Sequence, residues 1–480
     1  AYNSWNGIPM SIHPCLEEIT RKQWGNNGII CTDGGALKLL IEAHKSFPSF
    51  AEGAAAVVKA TTGQFLDAYV PYVKEALEKG LLTEVDIDKA IRGNIFVALK
   101  LGLLDGDNSR NPYLSIGKNS TETPPFMTAE ARRLAREVTA KSVVLLKNKK
   151  LLPLDAGKLR KIAVIGPYSD KIVQDWYSGT PPYETTILSG IRNAVKEGTE
   201  IIHAEDNRMG QAEKAAAAAD VAIVCVGNHP YGTRADWKFS PVPSDGREAV
   251  DRKSLMLPDE DLVKLVLKAN PNTILVLVSS FPYTINWSQE HVPAIVHITH
   301  CSQEQGNGLA DVLFGKVNPA GRTVQTWVKD ITDLPDIMDY DIRNGRTYMY
   351  HQGPVLYPFG YGLSYSDFAY EKIESFKQDK KNIRVTVSVK NTSGRDGEEV
   401  VQLYASYPES KVERPSKQLR AFRRIPIKAG ETRKVTLTVP KEELGYWNEG
   451  KQMFVVEPGT VKLLIGASSE DIRLEGKIRL

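Results

Sequence analysis

The residues best suited to chemistry lie in the stretch from Gly28 to Ala36, where an apolar run ends in a carboxylate followed by two glycines. A short β-branched run bounded by turn residues is typical of a buried parallel strand. Such a strand would deliver Asp33 to a loop, and Gly34 and Gly35 would let backbone or ligand approach its carboxylate closely. The alternative role for Asp33 is to cap the helix that follows, and spacing alone leaves both roles open.

A second candidate stretch is the long irregular segment 227–258, which follows an apolar run. Loops longer than about 15 residues inside a compact domain often carry function. This one leaves the carboxyl end of a predicted strand, which is where open α/β sheets bind their ligands. The alternative is a solvated loop whose carboxylates pair with Arg247 and Arg252. The segment contains, among others, Tyr231, Trp237, Asp245, Glu248, Asp251 and Arg252.

A third candidate is an aromatic loop in which Trp176 and Tyr177 lie close to Gly179 and Pro181. The apolar faces of pyranose rings pack on aromatic side chains for the same reason that other apolar surfaces do. The two side chains therefore suit a sugar-binding surface. The alternative for Trp176 is a place in the core of its domain.

Together these stretches resemble glycoside hydrolase family 3. The segment 2–9 (YNSWNGIP), Trp24 and the run that carries Asp33 are similar to the nucleophile region of the family. The segment 244–258 is similar to its acid/base segment, in which a glutamate precedes an Asp-Arg pair and a Leu-x-Leu-Pro. The aromatic loop resembles that of xylosidase-type members, and the segment 357–365 resembles the C-terminal signature of the family.

The resemblance implies both a reaction and a site. By it, Asp33 is the catalytic nucleophile and Glu248 the acid/base, with Asp245 as the competing choice. The implied reaction is retaining, exo-acting hydrolysis of non-reducing-end β-D-xylosyl or β-D-glucosyl residues, which needs one ionised and one protonated carboxyl group. Gly34 stands where glucosidase-type members often carry a tryptophan, which favours β-xylosides slightly. The residues expected to contact the sugar are Tyr2, Trp176, Tyr177, Tyr231 and Trp237.

Composition narrows the remaining function classes. Lys plus Arg number 61 and Asp plus Glu 58, so the near balance favours neither a nucleic-acid partner nor a membrane surface. No apolar run approaches the roughly 18 residues that span a bilayer, and no signal-peptide pattern is visible. No pattern in the sequence assigns a cellular location. The resemblance implies a secreted or periplasmic one.

Neither a metal ion nor a cofactor is predicted. Cysteines and histidines do not cluster at ligand spacing, so isolated buried thiols are expected. At the first strand-to-helix turn of the α/β region, Gly166 is followed by Pro167 without a glycine-rich phosphate motif. The proline removes an amide that a phosphate would need, which disfavours a dinucleotide site. The cysteines are Cys15, Cys31, Cys225 and Cys301.

Periodicity divides the chain into α/β and β regions. Helices with one or two strands come first, and the resemblance makes them the C-terminal part of a (β/α)8 barrel. Apolar runs alternating with helical patterns then predict an α/β sandwich with a mainly parallel sheet. Period-two strands separated by turns predict a fibronectin type III-like β-sandwich. The expected boundaries are 1–104 for the partial barrel, 105–127 for a linker, 128–330 for the α/β sandwich, 331–367 for an aromatic connector packed against it, and 368–480 for the β-sandwich.

The first region is far shorter than the roughly 250 residues of a complete barrel. The resemblance therefore implies that the front half of the barrel, with several sugar ligands, is absent from this sequence. A complementing barrel fragment or a homo-oligomer is one expected partner, besides the oligosaccharide or β-glycoside substrate. The alternative function is a catalytically incomplete protein that binds carbohydrate or acts as a scaffold.

Overall fold

The computed structural model divides into two compact units, Ala1–Glu122 and Thr123–Leu480, each with a hydrophobic core of its own. The first unit carries Asp33, and the second carries the α/β and β-sandwich regions. The residues that the structure describes are 2–106, 111–116, 118, 123–173, 179–228, 252–300 and 302–480.

The first unit is mostly helical in its described residues. Helix α2 is rich in alanine, and these short side chains allow α1, α3 and α4 to pack against it. The elements are the strands Ser4–Trp5 (β1) and Ile8–Pro9 (β2), a π-helical segment Leu16–Gln23, and the helices Ala36–Glu42 (α1), Phe50–Lys59 (α2), Val70–Glu78 (α3) and Glu84–Lys100 (α4).

Local signals set the starts of two of these helices. The sequence pattern Thr-x-x-Asp predicts a capping box at α4, and the structure confirms it: Thr83 Oγ1 accepts from the Asp86 amide at 3.3 Å, and Asp86 accepts from the Thr83 amide at 2.9 Å. Helical periodicity from Phe65 to Lys79 predicts one continuous helix, but α3 begins only at Val70. The reason is Pro71, which suits the first turn of a helix and cannot lie in its interior.

The predicted strand before Asp33 is reduced to a single parallel bridge between Cys31 and Gln64. The Gln64 amide donates to the Ile30 carbonyl at 3.2 Å, and the Thr32 amide donates to the Gln64 carbonyl at 3.0 Å. Within the described residues no second segment pairs with this stretch, and a ladder lengthens only where a neighbour continues it. Asp33 therefore follows an extended segment with one parallel neighbour.

The second unit begins with an α/β region built on a six-stranded sheet in the order β3-β8-β7-β6-β4-β5. Strands β4 to β8 are parallel and β3 is antiparallel to β8, so the prediction of a mainly parallel sheet is confirmed. The strands are Val144–Asn148 (β3), Lys161–Ile165 (β4), Glu200–Ala204 (β5), Val221–Gly227 (β6), Thr273–Val278 (β7) and Ala294–Ile298 (β8). The helices are Ala129–Ser142 (α5), Ile187–Ala194 (α6), Gln211–Ala217 (α7), Glu260–Ala269 (α8), Asn286–His291 (α9) and Gln305–Leu313 (α10).

Helices cover both faces of this sheet. Every residue of β6 is buried, which explains why its sequence is a continuous apolar run and not an alternating one. Helices α5, α6 and α10 pack on one face, and α7 and α8 pack on the other. The result is a three-layer sandwich with a core on each side of the sheet.

Tyrosines fasten the connector that follows to the sandwich. The hydroxyl of Tyr361 donates to the Leu146 carbonyl at 3.1 Å, and that of Tyr365 donates to the Val312 carbonyl at 2.9 Å. The prediction that the aromatic connector packs against the sandwich is confirmed. Its elements are Trp327–Val328 (β9), Thr347–Tyr350 (α11) and Val355–Tyr357 (β10), with β9 and β10 paired.

The unit ends in a β-sandwich, as predicted. A sheet of β11-β12-β15 packs on a sheet of β14-β13-β18-β19, and β16 pairs with β17 in a separate hairpin. The buried residues Ile383, Val385, Val387 and Val389 show the alternation expected of a strand with one face in the core. The strands are Phe368–Gln378 (β11), Asn382–Asn391 (β12), Gly397–Ser406 (β13), Gln418–Ile427 (β14), Thr432–Pro440 (β15), Tyr446–Asn448 (β16), Met453–Val455 (β17), Thr460–Gly466 (β18) and Ile472–Arg479 (β19).

Candidate active site

Asp33 is an exposed residue at the end of the extended segment in the first unit. Its Oδ1 accepts a hydrogen bond from the Gly34 amide at 2.9 Å. Just before it, buried Thr32 accepts through Oγ1 from the Leu66 amide at 3.3 Å and so holds the two parallel segments together. The carboxylate is thus presented by a backbone that is fixed immediately upstream.

The alternative role of Asp33 as a helix cap is not what the structure shows. The residue at the N-cap position of α1 is Gly35, in the left-handed region at φ +79°, and α1 has no side-chain capping hydrogen bond. Glycine adopts this conformation without the steric cost that a side chain would bring. The two glycines therefore turn the chain from the Asp33 segment into α1.

Tyr2 lies beside this turn. Its hydroxyl donates to the Gly34 carbonyl, and its own carbonyl is in hydrogen-bond contact with His44 Nε2 at 2.8 Å. The resemblance leads to the expectation that the hydroxyl orients a carboxylate or a sugar oxygen. In this structure it holds the backbone of the residue after Asp33.

Asp67 is a residue of this region that sequence analysis missed. Its Oδ1 accepts from the Gly35 amide, so it fixes the turn from the other side. Within the described residues, its buried Oδ2 has no hydrogen-bond partner. Burial, with a further contribution from the Asp67 charge, raises the pKa of neighbouring Tyr69. The position of Asp67 in the sequence could have pointed to it. Asp67 follows the Gln64 segment, just as Asp33 follows the Cys31 segment, and the carboxyl ends of two parallel segments lie at the same edge.

In the second unit, the candidate residues of the two loops lie outside the described residues. They are Trp176, Tyr177, Tyr231, Trp237, Asp245 and Glu248. What the structure does describe is where the two loops leave the sheet and where they return to it.

The loop that contains Glu248 is anchored at both ends. Where it leaves β6, Gly227 has φ +152° and packs so tightly that a Cβ would lie 1.8 Å from the Val278 carbonyl oxygen. The next residue, buried Asn228, accepts from the Ser280 amide at 3.3 Å. At the other end, the Arg252 guanidinium stacks at 3.7 Å over the Phe281 ring. Both ends of the loop are therefore held by the residues that follow β7.

The two loops leave neighbouring strands at the point where the strand order reverses. The chain passes from β4 to β5 on one side and then to β6 on the other side of β4. The loop with Trp176 follows β4, and the loop with Glu248 follows β6. In open α/β sheets, ligands bind in the crevice at such a switch point, outside the carboxyl ends of the strands.

The titratable groups within this sheet are structural. Burial lowers the pKa of His297 to about 4, and its Nε2 contacts the Ser279 carbonyl at 3.0 Å, so the neutral ring donates that hydrogen bond. Burial raises the pKa of the Cys225 thiol. The expectation of isolated buried thiols is correct for Cys225. Cys15 is only partly buried, and the expectation is wrong for Cys31, which is exposed because its segment has a single neighbour among the described residues. Cys301 lies outside the described residues. Among the described residues, no three His, Cys, Asp or Glu side chains are grouped as metal ligands.

Fold and sequence together define the class. The family model for the glycosyl hydrolase family 3 C-terminal domain matches residues 143–365, and a fibronectin type III-like domain matches residues 399–469. The chain belongs to glycoside hydrolase family 3.

Similar proteins carry two enzyme names. The chain is 30% identical to the periplasmic β-glucosidase of Salmonella typhimurium, an alignment that covers 98% of this chain and 66% of the relative. It is 29% identical to a β-xylosidase of Formosa agariphila, over 98% of this chain and 67% of the relative. The chain thus spans about two thirds of the length of these relatives.

Solved structures agree with the fold. A β-glucosidase from Erythrobacter marinus superposes with a TM-score of 0.83 at 26% identity, covering 100% of this chain and 67% of the other. The β-glucosidase of Listeria innocua in complex with isofagomine gives 0.82 at 26% identity, covering 99% and 67%. None of the helices in the described part of the chain is long and apolar enough to cross a bilayer.

Proposed function

We propose that this protein acts as a retaining, exo-acting β-glycosidase that releases β-D-xylosyl or β-D-glucosyl residues from non-reducing ends. The observation that carries the proposal is the emergence of both candidate loops at the switch point of the sheet. The exposed carboxylate of Asp33, on a turn fixed by Tyr2 and Asp67, supports it from the first unit. The names of the similar proteins agree with this substrate class.

Two residues carry the reaction in this proposal. Asp33, ionised, attacks the anomeric carbon as the bond to the leaving oxygen breaks, and Glu248 gives its proton to that oxygen. Glu248 then takes a proton from the water that attacks the glycosyl-enzyme ester, which frees the sugar and Asp33. Trp176, Tyr177, Tyr231 and Trp237 are proposed to contact the sugar. Asp245 is the competing acid/base.

The proposal also includes a partner that corresponds to the third of the relatives' length that this chain does not cover. The extended segment before Asp33 has one parallel neighbour, whereas a closed barrel has eight strands. We therefore propose that further barrel strands, on a longer form of the chain, a complementing polypeptide or a second copy, complete the site. We also propose a secreted or periplasmic location, because the Salmonella relative is named a periplasmic β-glucosidase.

Nitrophenyl glycosides test the activity. The protein is incubated with nitrophenyl β-xyloside and β-glucoside, alone and with the polypeptide that corresponds to the uncovered third of the Salmonella relative. Release of nitrophenol is the expected result, faster for the xyloside because Gly34 stands where glucosidase-type members often carry a tryptophan. No release under either condition would favour the alternative function, a protein that binds carbohydrate or acts as a scaffold.

Variants test the assignment of residues. Asp33→Asn is expected to abolish turnover, whereas Asp88→Asn, at an exposed position of α4, retains it. Glu248→Ala is expected to lose most turnover and to regain part of it with azide or with a substrate that has a good leaving group. If Asp245→Ala shows the azide rescue and Glu248→Ala does not, the acid/base is Asp245.

A further inference from the structure

The β-sandwich carries a groove that the proposed reaction does not use. It has a volume of about 690 Å³ and lies between the connector near α11 and the hairpin of β16 and β17. It adjoins a second groove of about 480 Å³ along β14 and β15, because Arg420 and Glu443 line both. The two together form a channel on the β-sandwich, and each groove lies within the size range of ligand sites.

Aromatic side chains are concentrated on and beside this channel. Tyr350, Tyr446 and Phe454 line the first groove, and Phe422 lines the second. Trp447 pairs across the hairpin with Phe454, their ring centroids 5.4 Å apart and their planes at 73°. Phe454 is 68% exposed and Trp447 is 48% exposed. Exposed apolar surface of this kind, grouped and not scattered, marks a binding site.

Arg414, which lines the first groove, is held by contacts with its neighbours. The guanidinium of Arg414 lies 3.6 Å over the ring of Tyr407, and its Nη2 donates to the Leu444 carbonyl at 2.9 Å. The same guanidinium lies 5.6 Å from the ring centroid of Tyr446. These contacts fix the position of the Arg414 side chain, so a ligand would not have to order it.

Acidic side chains supply hydrogen-bond acceptors at the rim. Glu442 and Glu443 are exposed, and no described residue pairs with either carboxylate. Aromatic faces beside carboxylates match a ligand with apolar faces and many hydroxyl donors, which describes a chain of pyranose rings. The charged residues that line the two grooves balance, so the lining has no net basic charge to favour anionic lipid or nucleic acid; they are Arg414, Arg420, Arg423, Glu413, Glu442 and Glu443.

We propose that the channel between the connector and the β16 to β17 hairpin binds a neutral oligosaccharide of several sugar units. Trp447 and Phe454 stack on sugar rings, and Glu442 and Glu443 accept hydrogen bonds from hydroxyl groups. The proposal does not depend on the proposed hydrolysis, because none of these residues takes part in it.

Affinity electrophoresis and calorimetry on the full chain test the proposal. The Asp33→Asn variant is used so that probes are not consumed, with xylohexaose, cellohexaose, soluble xylan and hydroxyethyl cellulose as probes. We expect binding of at least one hexaose and retardation by the matching polysaccharide. Free xylose or glucose in moderate excess is not expected to displace the hexaose, since a single ring meets only part of the channel.

Substitutions locate the binding. In the same background, Trp447→Ala and Phe454→Ala are expected to weaken hexaose binding about tenfold each, with the melting temperature unchanged. Trp447→Tyr keeps an aromatic ring and is expected to keep most of the affinity. Glu442→Gln is expected to weaken binding less than either alanine substitution does. Phe126→Ala removes an aromatic that is 60% exposed and does not line the groove, so it leaves binding intact.

Three outcomes would overturn the proposal. One is the absence of binding with every probe, and another is binding that Trp447→Ala and Phe454→Ala leave unchanged. The third is a concentration-dependent dimer that Trp447→Ala converts to monomer while hexaose has no effect, which would make this surface a contact between copies of the chain. Loss of nitrophenyl glycoside hydrolysis has no bearing on these results, so the two proposals fail separately.

Discussion

At the scale of single residues, the turn that presents Asp33 depends on contacts from distant positions. Tyr2 bonds to the Gly34 carbonyl, and Asp67 accepts from the Gly35 amide. Both contacts hold backbone groups of the residues that follow Asp33, so the direction of its carboxylate is set by the turn.

The role of Asp67 leads to the first prediction. Asp67→Ala removes the acceptor of the Gly35 amide and is expected to cost about 1 to 3 kcal/mol of the free energy of unfolding. Under the proposed function, it also lowers turnover. Asp67→Asn keeps an oxygen acceptor and is expected to recover most of both. Urea denaturation and the nitrophenyl assay check this, and equal behaviour of Ala and Asn would contradict it.

His297 leads to a prediction on pH. Its pKa is about 4 in the folded protein, below the ordinary value of 6.5, so between these values the unfolded chain binds the extra proton. The free energy of unfolding therefore rises with pH across this window. The contribution of His297 is fully present above about pH 6.5 and is lost as the pH falls toward 4. The difference between the two pKa values corresponds to roughly 3 kcal/mol of the free energy of unfolding.

Urea denaturation between pH 4.5 and 7 measures this effect. His297→Asn is expected to flatten the slope, because the group that gains the proton on unfolding is gone. His291→Asn, at an exposed position, is expected to leave the slope as it is. An unchanged slope in His297→Asn would show that other groups produce it.

At the scale of elements, helix starts and strand neighbours decide what forms. The capping box of α4 acts over four residues and forms as its sequence predicts. The segment before Asp33 has residues suited to a strand, but among the described residues it pairs only with the Gln64 segment, so it forms a single bridge. A helix makes its own hydrogen bonds, whereas a strand needs a partner.

The capping box gives the third prediction. Thr83→Ala is expected to lower the free energy of unfolding of the first unit by about 1 kcal/mol, because the Asp86 amide loses its acceptor. Thr83→Ser keeps the hydroxyl and serves as the matched control. Thermal unfolding followed by circular dichroism checks the difference, and equal loss in both variants would assign the effect to the methyl group.

At the scale of the whole molecule, a buried ion pair within the second unit joins the α/β region to the β-sandwich. Arg322 contacts Glu399 at 3.3 Å, with 9% and 4% of their side chains exposed. The hydroxyl of Tyr370 donates to the same carboxylate at 3.0 Å. Burial is the largest cause of the raised pKa of Tyr370, so its hydroxyl keeps its proton as a donor.

Breaking this pair is the fourth prediction. Glu399→Gln leaves the Arg322 charge buried without a counter-charge and is expected to destabilise the second unit by about 3 to 5 kcal/mol. The double variant Arg322→Met with Glu399→Leu removes both charges and is expected to recover much of that loss. Chemical denaturation checks both, and a double variant as unstable as the single one would show that packing, not charge, dominates here.

The amino-acid sequence by itself determined the local and periodic features of this protein. Continuous apolar runs marked the strands of the parallel sheet, alternation marked the β-sandwich, and Thr83 with Asp86 marked a helix start. These features act over a few residues or repeat along the chain, so they can be predicted from a single sequence. The aromatic connector was likewise readable from composition.

Only the tertiary structure decided which distant residues meet. It joined Asp67 to the turn after Asp33, held both ends of the Glu248 loop on the residues after β7, and made one channel of the hairpin and the connector. It also ended the Asp33 strand after one bridge. Such contacts depend on chain segments far apart in sequence, and their geometry follows from packing whole elements, which no local pattern encodes.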